Sequence, residues 1–134
     1  MRSVIKEVNP KGIEAIVNQQ FEFGLKIASH GLVPILEPEV DIHTVNKEKA
    51  EELLLAEFKK HLAKLPESTK LMFKVTIPTK AGLYSDIMKD PRVVRVVALS
   101  GGYPRDEACR LLAQNPGLIA SFSRALTEGL KKQE

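Results

Sequence analysis

A lysine stands in the middle of the apolar run Leu71-Met72-Phe73-Lys74-Val75-Thr76-Ile77. Branched and aromatic residues favour a strand, and side chains alternate across a strand. Leu71, Phe73, Val75 and Ile77 then share one wholly apolar face, while Met72, Lys74 and Thr76 share the other. A lysine at mid-strand cannot easily carry its ammonium to bulk water. It is held either in a buried ion pair or as a neutral amine with a lowered pKa, and the neutral amine is the nucleophile of Schiff-base chemistry. The competing reading is an edge-strand lysine pointing at solvent, the commoner fate of strand lysines.

A base is available nearby in sequence. Glu37-Pro38-Glu39 closes the apolar run Leu32-Val33-Pro34-Ile35-Leu36, and both glutamates share the parity of Val33 and Ile35. Carboxylates at the carboxy end of a parallel strand stand where α/β folds build active sites. A glutamate beside a buried lysine can serve as general acid and base; in water, the same pair is only a turn. The alternation continues through Asp41 and His43, which superficially resembles a metal site. No HxxxH or CxxC spacing accompanies it, and His30 and His61 fall on or beside helical segments, so no metal is expected.

Two further segments suit an anion. Ser100-Gly101-Gly102-Tyr103-Pro104 and Ser121-Phe122-Ser123-Arg124 each follow a strand-like run and open a helical one. Paired glycines let backbone N–H groups line a concave turn, and a helix amino terminus favours negative charge. Hydroxyls, amides and one arginine at adjacent strand ends would clamp a phosphate. Neither segment matches a Walker or dinucleotide fingerprint, and a Ser-Gly-Gly turn by itself is more often just a turn. Two such turns after the last two strands are where barrels hold phosphate.

The elements that must position these groups are marked by turn and cap residues. Asn9-Pro10 is a cap followed by proline at the first helical position, predicting a helix through Ile13, Ile16, Val17 and Phe21 to about Ser29, ended by Gly31. Asn46 is a second candidate cap, before Leu54, Phe58 and Leu62 at helical spacing. Strands are predicted at Leu32 to Leu36, Leu71 to Ile77, Val93 to Leu99 and Leu118 to Phe122. Short helical stretches are predicted over Leu83 to Lys89, from Pro104 to about Asn115, and over Ser123 to Lys131. A helix followed by four strand–helix units is the pattern of parallel βα repeats. The expected class is α/β in a single domain, either half of a (β/α)₈ barrel or a small doubly wound sheet.

Composition narrows the functions. The chain has 134 residues, 43% hydrophobic and 28% charged, with a net charge of +3. That balance belongs to a globular domain rather than a disordered one. No apolar run is long enough for a membrane-spanning helix, and no signal-like segment opens the chain. With one cysteine, Cys109, no internal disulfide is possible, so a reducing, cytoplasmic setting is expected. Trp is absent and the basic residues are scattered, which argues against nucleic acid; a mild positive surplus fits a small phosphorylated substrate.

Four segments, in order, resemble class I fructose-bisphosphate aldolases of the bacterial branch. They are Val33-Pro34-Ile35-Leu36-Glu37-Pro38-Glu39-Val40, Leu71-Met72-Phe73-Lys74-Val75-Thr76-Ile77-Pro78, Val96-Val97-Ala98-Leu99-Ser100-Gly101-Gly102-Tyr103 and Ile119-Ala120-Ser121-Phe122-Ser123-Arg124-Ala125-Leu126. The resemblance covers nearly the whole chain and implies the second half of a (β/α)₈ barrel, family strands five to eight with the preceding helix. By the same resemblance, Lys74 matches the lysine that forms an imine with dihydroxyacetone phosphate. Glu37 matches the general acid/base and Glu39 a second active-site carboxylate. Ser100 and Gly101 (with Gly102 beside them), Ser121, Ser123 and Arg124 match phosphate-holding positions, and Arg2 an arginine just after the fourth barrel strand, also near a phosphate. The implied reaction is reversible, metal-independent cleavage of fructose 1,6-bisphosphate, with no cofactor. Family chains are about twice as long, so an early-strand aspartate and further lysines are expected outside this sequence. Half a barrel exposes two strand edges, from which self-association or pairing with the other half is expected.

Overall fold

A computed structural model describes residues 1–132. Five strands, β1 (Arg2–Ile5), β2 (Ile35–Val40), β3 (Leu71–Thr76), β4 (Val93–Leu99) and β5 (Ile119–Ala120), form one sheet. All neighbouring pairs are parallel, and the order in space is the order in the chain. A doubly wound sheet reverses direction at a switch point, and this one does not. Of the two architectures the sequence allows, the open run of βα units is therefore that of half a (β/α)₈ barrel.

Helices α1 (Pro10–Ala28), α2 (Lys47–Leu62), α3 (Ser85–Met88), α4 (Arg105–Ala113) and α5 (Arg124–Thr127) follow the five strands in turn. Asn9 caps α1, its Oδ1 accepting the Gly12 N–H at 3.0 Å, and Gly31 follows the helix at φ +78°. Asn46 occupies the N-cap position of α2 but makes no side-chain cap; it sits in the left-handed region at φ +56°, which asparagine tolerates. The last helix, expected to reach Lys131, stops at Thr127. Glu128 turns to an extended ψ of 128° and Gly129 takes φ +79°.

Two strands depart from expectation. β1 was not foreseen, because four residues including Arg and Ser are too few to display a period of two. Its pairing comes from β2: the Glu37 N–H donates to Met1 O and the Asp41 N–H to Ile5 O. β2 itself begins at Ile35, not Leu32, and runs through the Glu37-Pro38-Glu39 segment to Val40.

That shift places Pro38 inside an interior strand. Amides of one parity in β2 point to β1, as Glu37 and Asp41 show, so Pro38, of the other parity, faces β3. Proline has no N–H to give. The β2–β3 register accordingly covers Ile35↔Met72 and Leu36↔Phe73 and goes no further, whereas β1–β2 continues to Val40 and β3–β4 to Leu99. Beyond Leu36 the seam between β2 and β3 is held by a side chain, the Thr76 Oγ1 donating to Val40 O at 2.6 Å.

The apolar face of β3 meets the helices as its pattern requires. Phe73 stacks on Phe58 of α2 at 4.2 Å between ring centroids and tilts against Phe21 of α1 at 6.0 Å. Leu71, Phe73, Val75 and Ile77 are all buried. Each such side chain contributes about 1.5–3 kcal/mol by leaving water. On the opposite face of the sheet Ile35 is exposed, and Glu37, Glu39, Met72 and Lys74 are half-buried.

Candidate active site

The residues singled out from the sequence converge. Arg2, Glu37, Glu39, Lys74, Ser100, Gly101, Gly102, Ser121, Ser123 and Arg124 line one cavity of about 170 Å³, together with Leu99. Parallel strands bring this about, because equivalent points on successive strands lie side by side. Arg2 is opposite Glu37 across β1 and β2, Lys74 opposite Val97 across β3 and β4, and Val97 opposite Ile119 at β5. Only Leu99 was not anticipated; its apolar side chain carries no chemical signal.

Lys74 neither points into open water nor is sealed away. Its Nζ lies 3.4 Å from Glu37 Oε1, with the two side chains 27% and 17% exposed. This is the contact that imine chemistry needs, an amine within one short step of a proton carrier. Glu39 is engaged separately: the Arg2 Nε donates to its Oε2 at 2.6 Å. That hydrogen bond, with the charge of Glu39 behind it, holds the Arg2 guanidinium above its ordinary pKa. The resemblance placed Arg2 just after a strand; it is the first residue of β1.

The extended row of acids does not continue. The strand ends at Val40, and the Asp41 carboxylate accepts the His43 N–H at 2.8 Å in a local turn. His30 leans on Lys26 O, and His61 pairs with Asn18.

The two turns expected from the sequence to suit an anion are differently built than it suggested. Gly101 and Gly102 take φ +63° and +103°, and a Cβ on Gly101 would stand 3.1 Å from Ile42 Cγ2 and 3.2 Å from Leu99 Cδ1. Only glycine lets the backbone pass here. Helix termini contribute less than expected. The first amide of α4, Arg105 N–H, donates to the Glu128 carboxylate at 2.7 Å, so the protein's own acid occupies that end. The four residues of α5 are too few for a helix dipole of any weight. The groups that line the cavity on this side are instead the Ser100-Gly101-Gly102 turn and the side chains of Ser121, Ser123 and Arg124.

One buried cluster behind the site was missed. Lys47 Nζ donates to Glu51 Oε2 at 3.0 Å, to Ile77 O at 2.9 Å and to Thr79 Oγ1 at 3.1 Å. The Thr79 N–H donates to Glu51 Oε1 at 3.0 Å. The cluster clamps the chain as it leaves β3, three residues beyond Lys74. Its signal was present: 47, 51, 54 and 58 follow one helical face, with two charged positions among the apolar ones. Desolvation raises the Glu51 carboxyl above its ordinary pKa, with Lys47 and the Thr79 amide pulling against it.

A sequential parallel sheet with its polar groups gathered at adjacent strands is a segment of a (β/α)₈ barrel. No protein-family model matches the chain. Curated relatives do. It is 63% identical over 130 residues to a protein of Clostridium acetobutylicum, covering 97% of this chain and 44% of that one. It is 58% identical to one from Porphyromonas gingivalis and 56% to one from Synechocystis sp., each over all 134 residues and 45% of the relative. All three are named fructose-bisphosphate aldolase class 1. Over its whole length the chain is a homologue of the carboxy-terminal part of class 1 fructose-bisphosphate aldolases. It spans less than half the length of these relatives.

Proposed function

We propose that this chain carries the Schiff-base centre of a class I fructose-bisphosphate aldolase, a cytoplasmic enzyme of glycolysis. The observation that carries the reading is the Lys74–Glu37 contact at 3.4 Å, in a cavity that also holds the glycine turn and Arg124.

In this reading the Lys74 amine adds to the C2 carbonyl of fructose 1,6-bisphosphate. Glu37 donates a proton to the departing hydroxyl, and water leaves to give a protonated imine. The C3–C4 bond then breaks: its electron pair moves toward the iminium nitrogen, the C4 hydroxyl loses its proton to a base, and glyceraldehyde 3-phosphate departs. Protonation of the enamine at C3 and hydrolysis of the imine release dihydroxyacetone phosphate and restore Lys74. The iminium is the electron sink, so the sequence of steps asks for neither metal nor cofactor. Arg2 and Glu39 form a second charged pair beside the reacting groups. Ser100, Gly101, Gly102, Ser121, Ser123 and Arg124 hold substrate phosphate, with Arg2 close enough to share it.

The edges of the open sheet support a second reading. In it, the chain is an inactive remnant that binds phosphate at most and associates with itself or with the other half of a barrel. Borohydride trapping with dihydroxyacetone phosphate, followed by intact mass and peptide mapping, separates the two. An adduct on Lys74 is expected from the first reading. A folded sample without adduct leaves only the second.

A further inference from the structure

The geometry points to Thr76 as the positioning residue that sets both the Glu37–Lys74 spacing and the seat of the Ser100-Gly101-Gly102 turn. This rests on the Schiff-base reading of Lys74 for its consequence, though not for its geometry. Pro38 ends the backbone ladder between β2 and β3 at Leu36 and Phe73, immediately before the two residues that must meet across it. Without a further tie, Glu37 and Lys74 would sit on strands free to splay. Thr76, buried and two residues beyond Lys74 on the same face of β3, supplies the tie by donating its Oγ1–H to Val40 O at 2.6 Å. Its other branch faces the next strand. The Thr76 Cγ2 lies 3.5 Å from where a Cβ on Gly101 would stand, so the methyl underlies the turn.

The two branches of one side chain therefore serve two parts of the site. Hydroxyl and methyl can be removed separately: Thr76→Val keeps the methyl and loses the donor, and Thr76→Ser does the reverse. A residue needed only for packing would not split in this way.

The test uses the chain as it is, with cooperative unfolding recorded for each variant. Reductive methylation with formaldehyde and cyanoborohydride is followed at Lys74 relative to the exposed Lys60, and needs no substrate. Titration with inorganic phosphate is followed at the Gly101 amide by NMR, and trapping with dihydroxyacetone phosphate at Lys74 by mass. Thr76→Val is expected to change the Lys74:Lys60 ratio by about twofold or more and to slow trapping by about 10-fold or more, as misplacement of reacting groups does. Its phosphate midpoint should stay within about twofold of the parent. Thr76→Ser is expected to keep the parent ratio and to weaken phosphate by about threefold or more.

A wild-type Lys74:Lys60 ratio in Thr76→Val overturns the proposal, as does a joint shift of both readouts in both variants. If Thr76→Val does not fold, Thr76→Ser decides: an unchanged ratio with weakened phosphate supports the proposal, and a changed ratio or a parent-like phosphate midpoint overturns it. If the parent chain traps nothing while the ratio still splits between variants, the aldolase reading fails and the placement of Thr76 stands.

Discussion

Lys74 and Glu37 meet at 3.4 Å across a seam whose backbone hydrogen bonds have already stopped. The pair is thus held by side chains and by the ladders on its outer flanks, β1–β2 and β3–β4. Loosening at this point is compatible with the proposed Schiff-base function, in which an amine that becomes a substituted imine must change its surroundings during each turnover.

Lys74→Met is expected to abolish the borohydride adduct with dihydroxyacetone phosphate while leaving the fold in place. The ion pair it removes is partly exposed, and pairs of that kind contribute about 0–1 kcal/mol. Intact mass and urea unfolding together check this. An adduct persisting on the variant would move the nucleophile elsewhere.

Glu37→Gln keeps the size of the side chain and removes its proton. Trapping should slow by about 10²- to 10⁴-fold, the range for a general acid or base, with phosphate binding unchanged. A trapping rate equal to the parent's would assign proton transfer to another group, and Glu39, tied to Arg2, would be the next to replace.

The lining of the cavity was more legible in the sequence than the scaffold. Alternation along a strand is a strict rule, so parity put Glu37 and Glu39 on one face of their segment and Lys74 opposite the apolar face of its own; it was the resemblance that brought the two segments together. Periodicity describes each strand and not its neighbours, so it left a barrel half and a doubly wound sheet both open; the resemblance implied the barrel half, and the sequential strand order agrees with it. β1 escaped because its ladder is supplied by β2, and the end of β2 was placed too early because proline and two glutamates look like a turn. The tie from Thr76 to Val40 is a contact 36 residues apart in sequence, invisible until both strands are placed.

Gly101→Ala is expected to weaken phosphate binding. The left-handed backbone there costs a non-glycine residue about 1–2 kcal/mol, and the new methyl would press on Ile42 and Leu99. Isothermal titration with inorganic phosphate and thermal unfolding give the two numbers. Gly31→Ala is the matched control, also at positive φ but with no neighbour within 4 Å. Equal phosphate affinity in the two variants would remove the turn from the anion site.

Glu51 gives the pH prediction, and its sign is opposite to the usual carboxylate. Burial raises its pKa in the folded chain above the ordinary 4.5, against the pull of Lys47. The folded state then holds more protons than the unfolded one between those two values, so stability falls as pH rises through them. The contribution is fully present below the unfolded pKa and lost above the folded one. Glu51→Gln removes the titration, so the stability of the parent relative to this variant should decline as pH rises through that window. Urea unfolding of both chains across the window measures it. A relative stability that climbs instead would mean that the Lys47 ion pair outweighs burial. Lys47→Met, which leaves Glu51 buried without its partner, is expected to cost about 3–5 kcal/mol at neutral pH and much less under acid conditions, where the carboxyl is neutral.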